Sequence, residues 1–411
     1  KMKKYNQNLL WISITALALT ACGGSSSSSS DDNSEAGEHD HEFSILASQS
    51  DTSTLSLLEE GELEALEDAA AGNGATLVLG ETGAYAAVLA NSTVNFVHGL
   101  HDEEEEEEES EEEHEHEEEA HVLEFSATGT QVITTGGHFA ILDAGTTTFI
   151  EYDELENDTP ATEDTSALSL TETYPALMID EEHELVMVFD GTDAKLYEDT
   201  TEEDSFACAN PSSHGQIDGL VVVTCDAGAL AVVIEEDVNT AEHTFTSSTL
   251  TLAGDNDENY VWRAEGDVIV GFDAGTKDYA IIELDAATVT VSNPFVFAEN
   301  ICDMQLESHE QDILAMTLGG TFVALDHEGT ELKSIALDFS TASTCDDFIM
   351  AAADKTAIVV DNSAQKGYEL DVDESESESA TYHLHEDFDL DVSDIASMVV
   401  FHEKDESEHE H

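Results

Sequence analysis

A two-strand unit recurs along most of this chain. Short β-branched or apolar runs, most of them broken by a small turn with Gly or Asp, occur at Thr76–Leu89, Phe139–Gly145, Leu185–Gly191, Leu220–Gly228, Val268–Gly275, Ile313–Gly320 and Phe348–Asp354. A single apolar strand, Ala396–Phe401, ends the series. Most of these units begin roughly 35 to 50 residues apart, the length of chain that one four-stranded propeller blade uses. The pattern predicts an all-β fold, a β-propeller, whose last strand pairs into the N-terminal blade and so removes the exposed sheet edges. The hairpins favour seven blades, with eight as the count if a further blade lacks so clear a signal. A large sandwich or two separate β-domains is the competing architecture, and no long segment sustains a helical period.

Charge narrows the partners. The 411 residues include 94 Asp or Glu against 10 Lys or Arg, a formal charge of −84. Such a field repels nucleic acid and anionic lipid and gathers cations near the surface. Hydrophobic residues make up 40% and there are 4 prolines, enough apolar content for a real core.

Polar segments interrupt the pattern. Lys1, Lys3 and Lys4 precede the apolar stretch Leu9–Ala21, which is short for a membrane span and suits a signal peptide over 1–21. It runs into Leu19-Thr20-Ala21-Cys22, similar to the lipobox of bacterial lipoproteins, which implies lipidation at Cys22. With Gly23 following, that resemblance also implies an outer-membrane anchor facing the periplasm. Residues 22–50, with the serine run Ser25–Ser30 and the histidines His39 and His41, read as a disordered tether. The propeller is then expected over 51–402. A nearly unbroken glutamate run makes 102–121 a solvated insert containing His114, His116 and His121, and 403–411 is an acidic tail with His409 and His411.

Five cysteines occur. With Cys22 assigned to lipid, four remain in an oxidising compartment. Cys208 with Cys225 encloses a short loop between neighbouring strands, which leaves Cys302 with Cys345. No CxxC spacing favours thiolate zinc ligands instead. No HExxH, GxSxG, P-loop or GxGxxG element occurs, and Arg263 is the one arginine, so the chain reads as a non-enzyme.

Histidine carries the chemistry. The 18 histidines fall largely in pairs or beside acids: His39 with His41, His98 with His101, His114 with His116, His383 with His385. Neutral imidazole is a good zinc ligand, and a nearby carboxylate completes or orients the set. Imidazole is too soft a donor for calcium, and no methionine-rich cluster points to copper. Isolated His183, His243, His309 and His327 read instead as ordinary surface or core residues.

One set of motifs carries a family resemblance. Val97-His98-Gly99-Leu100-His101-Asp102, then Gly136-Gly137-His138-Phe139, and Cys208-Ala209-Asn210-Pro211-Ser212-Ser213-His214-Gly215 with Cys225 downstream, resemble the AztD-type periplasmic zinc metallochaperones. The spacing between Cys208 and His214 is one residue longer than in that pattern, and the insert is far more acidic. The resemblance covers the chain from about Thr54 onward. It implies a propeller with an ordered zinc site at His98, His101, His138 and His214, and a zinc-transporter solute-binding protein as partner. His39, His41, His114, His116, His121, His383 and His385 would be weaker, accessory ligands. The expectation is a zinc metallochaperone or reservoir whose flexible segments capture zinc for that site. The alternative is an envelope scaffold for protein–protein contacts; a propeller enzyme would show buried carboxylates or a His–Arg pair in its central channel.

Overall fold

The computed structural model describes residues 44–401 except 60–61, 71, 100–119, 156, 158, 182, 238–241, 254–258, 286, 309–310, 340–342, 354–355, 374–380 and 391–393. The expected signal peptide, Cys22, most of the tether, the tail, and His39, His41, His101, His114, His116 and His309 lie outside the described residues. Among the described residues, no helix is long and apolar enough to cross a membrane.

The strands form eight four-stranded antiparallel sheets, the blades of a propeller. Blade 1 combines Ser44–Gln49, Thr54–Glu59 and Glu62–Ala70 with the last strand, Ile395–Phe401. The closing strand pairs from Ser44 with Phe401 to Gln49 with Ile395, as expected from the sequence. Two expectations need correction. There are eight blades rather than the favoured seven, because the first contains no continuous apolar hairpin. For the same reason the propeller starts at Ser44, inside the segment 22–50 assigned to the tether; from Ile45 to Gln49 that strand is buried.

The remaining blades follow in order, each meandering from its innermost strand outward. Their second strands are the most buried, and several, such as Leu220–Cys225 and Thr356–Asp361, are buried at every position. Both faces of these strands meet a neighbouring blade, so their sequences are almost continuously apolar. Outer strands alternate: His121–Thr128 and Glu331–Ala336 expose every second or third residue. The core is accordingly divided into eight clusters, one at each seam between blades.

Both expected disulfides form. Cys208, in the connection from blade 4 to blade 5, bonds to Cys225 at the end of the second strand of blade 5. Cys302 in blade 7 bonds to Cys345, just before blade 8. With separations of 17 and 43 residues, loop closure is worth about 3 and about 4 kcal/mol in the chain-entropy picture.

Within each meander, the turn after the innermost strand and the turn before the outermost strand open on the same face of the ring. The middle turns and the connections between blades open on the other. That alternation decides which histidines can meet.

Candidate metal-binding sites

Blade 2 contributes the stems of the acidic insert. His98 ends its third strand, Thr93–His98, and His121 begins its outermost strand; the two are direct cross-strand partners with ring centroids 5.5 Å apart. His121 therefore belongs to the sheet rather than to the insert expected over 102–121, and Ala120 beside it is buried in the core between blades 1 and 2. His98 is buried and stacks on Tyr85 at 4.5 Å. Gly99 has to be glycine, since a Cβ there would meet Phe401 of the closing strand at 2.2 Å.

His138 opens the second strand of blade 3 after a tight turn at Gly136 and Gly137, both with positive φ (51° and 79°), as a two-residue hairpin loop demands. Its Nδ1 lies 2.6 Å from the Gly136 carbonyl. A carbonyl can only accept, so Nδ1 carries the hydrogen and the neutral ring presents its lone pair at Nε2. Such fixing of the tautomer by a backbone carbonyl is the usual support of a histidine metal ligand. The Gly137 amide donates to Glu81 at 2.9 Å, tying this turn to blade 2. His98, His121 and His138 thus occupy turns on one face of adjacent blades.

His214 lies elsewhere, on the innermost strand of blade 5 (Ser213–Ile217), against the central cavity of about 1130 Å³. Its Nε2 donates to the Thr134 carbonyl at 3.1 Å, so its Nδ1 accepts from the Tyr174 hydroxyl at 3.0 Å. Both nitrogens are engaged. Gln216 and Thr135 extend this belt across the inner strands. Burial pushes the His214 ring down to about 4, against the opposing pull of the Thr134 hydrogen bond.

A stability effect follows from that shift. In the unfolded chain the ring takes a proton near pH 6.5, whereas in the fold it stays neutral until about 4. Proton uptake by the unfolded state should therefore remove up to roughly 3 kcal/mol as pH falls through that window, with no such loss above pH 7. Urea titrations at several pH values should show a shallower fall for His214→Gln over the same range; an identical fall would place the acid sensitivity elsewhere.

The same channel holds Arg263, Asp303 and Gln305. Arg263 donates to Gln305 at 3.2 Å and to the Trp262 carbonyl at 3.1 Å. Burial raises the Asp303 carboxyl, and the charge of Arg263 opposes that rise.

Among the described residues, two groups bring three ligand atoms within 4.8 Å of one another. Neither includes His98, His138 or His214. The first, Asp371, His383 and His385, lies on the outer two strands of blade 8, with His383 Nε2 and His385 Nδ1 each 3.0 Å from a carboxylate oxygen of Asp371. It is half-exposed, and it organises the pair His383 and His385 singled out from the sequence. The second joins Asp180 and His183 of blade 4 to His243 of blade 5. His183 and His243, isolated in the sequence, are not isolated in the fold, because the ring brings together positions some sixty residues apart. The spacing Asp180-x-x-His183 was the one local hint. His327 is exposed and in neither group.

No protein-family model matches the sequence, and no curated protein matches it either. Two solved structures of AztD from Citrobacter koseri, one of them the apo form, match with TM-scores of 0.64 and 0.62 at 11% and 12% identity. Each match covers 87% of this chain and 97% of the other. At that identity the likeness concerns the fold, and in fold this chain is similar to AztD over almost the whole length of its propeller.

Proposed function

We propose that this chain is a zinc-binding propeller of the bacterial periplasm, held to the outer membrane through Cys22, that collects zinc and passes it to a zinc-uptake partner such as a solute-binding protein. The observation that carries this reading is the placement of His98, His121 and His138. Two of them flank the His- and Glu-rich segment, and the third, with Nε2 as its available nitrogen, opens on the same face of the next blade. His98 and His138, with His101, supply the tighter site; His39, His41, His114, His116 and His121 are accessory ligands that deliver zinc to it. His383 and His385 with Asp371 add a weaker site on blade 8. His214, with both nitrogens in hydrogen bonds, supports the channel wall in this reading.

Fold similarity and the motif resemblance support zinc as the cargo. The enzyme alternative keeps one specific observation, the Asp303 carboxyl that burial raises beside Arg263 in the central channel, where two of the five N–H groups of Arg263 serve Gln305 and the Trp262 carbonyl.

The test is pH. Imidazole must lose its proton to bind, so zinc affinity at a site of three histidines should fall steeply between pH 7 and pH 5.5, by about 100-fold or more. Chelator competition, corrected for the chelator's own protonation, measures this. A flat profile would mean that carboxylates alone bind the metal and would return the chain to the scaffold class.

A further inference from the structure

Asp180, His183 and His243 take no part in the site proposed above. Asp180 ends the innermost strand of blade 4, Tyr174–Asp180, and His183 lies in the turn that follows. His243 is the second residue of the outermost strand of blade 5, Glu242–Thr249. Both segments open on the same face of the ring, and blades 4 and 5 meet there.

The geometry suits a small cation. His183 Nδ1 and His243 Nε2 approach the same carboxylate oxygen, Asp180 Oδ2, at 2.8 Å and 3.3 Å. Around a tetrahedral zinc with bonds of about 2.0 Å, neighbouring ligand atoms stand about 3.3 Å apart, so the trio needs small adjustments to receive one. The rings meet edge to face, 5.2 Å between centroids at 80°. His243 is stacked parallel to Phe245, and its side chain is 4% exposed, which keeps it from swinging away. His183 and Asp180, at 26% and 27%, leave an approach from solvent.

The ion-pair partners of Asp180 among the described residues are these two imidazoles, with no lysine or arginine. Glu181 and Glu184 flank His183, adding to a field that draws cations.

We propose that Asp180, His183 and His243 bind a zinc ion that clamps the seam between blades 4 and 5. Two imidazoles and a carboxylate leave a fourth position for water. The same seam is already joined at the opposite face by the Cys208–Cys225 disulfide, so the metal would staple the face that the disulfide leaves open. Its role is to hold the ring together, distinct from cargo transfer.

The experiment uses the full chain, stripped of metal, with His39, His41, His98, His101, His114, His116, His121, His138, His383 and His385 all replaced by alanine to remove the other proposed ligands. Its outcome is therefore independent of the function proposed above. Zinc alone should raise the Tm of this variant, and cobalt(II) should give the visible band of a tetrahedral site. Adding His183→Asn or Asp180→Asn, both at partly exposed positions, should abolish the Tm rise and weaken binding about 100-fold or more. In the otherwise unchanged chain, His183→Asn should lower zinc stoichiometry by one with secondary structure retained. A Tm rise that survives both substitutions, or none in the starting variant, would overturn the clamp.

Discussion

Deleting Ile395–Phe401 is expected to leave a chain that does not reach the native ring. Ile395, Met398, Val399, Val400 and Phe401 are all buried, and at about 1.5–3 kcal/mol for each side chain their loss removes roughly 8–15 kcal/mol. That equals the whole stability of an ordinary domain, about 5–15 kcal/mol. The deletion also leaves the backbone of Ser44–Gln49 without its inner partner and opens the cores on either side of blade 1. A milder version isolates one contact: Phe401→Ala should cost about 3–5 kcal/mol, since Phe401 is fully buried where Gly99 lets the backbone approach. Urea unfolding followed by near-ultraviolet circular dichroism measures both. A cooperative, native-like transition in the truncated chain would show that seven blades close without the strand.

Replacing His138 by alanine should lower the tightest zinc affinity about 100-fold or more while the propeller still folds. Its ring is oriented by the Gly136 carbonyl, and loss even of such orienting partners typically costs 10- to 100-fold in metal affinity. Deleting Asp102–Glu119 should instead reduce the number of weakly bound zinc ions and slow loading at low zinc, with the tight event retained. Competition titrations on the two variants separate a positioned ligand from a capture segment. Wild-type tight binding in His138→Ala would remove His138 from the site, and loss of tight binding on the deletion would make His114 or His116 a direct ligand.

The propeller was legible because second strands are squeezed between blades. Runs such as Leu220–Cys225 must be apolar on both sides, so they stand out from any background, and the turn residues after them mark the period. Blade 1 escaped notice for the complementary reason. Its strands before the closing one are set among glutamates, and their burial depends on Ile395–Phe401, about 350 residues away. The disulfides were also readable, because four cysteines offered one local pairing and left the other.

The sites divide in the same way. Sequence by itself determined the closed β-ring, the two disulfides, the cation-attracting charge and the pair His383 and His385, all of which arise from local pattern or composition. Tertiary structure alone decided that Asp371 would serve both of those histidines and that both nitrogens of His214 would be consumed by Tyr174 and Thr134. It also decided that His183 and His243 would share one carboxylate. A strand's residue types report how much of it is buried, because burial acts on each side chain separately. Which imidazole meets which carboxylate depends on the twist and stacking of neighbouring blades, a relation between distant segments that no local stretch of sequence contains.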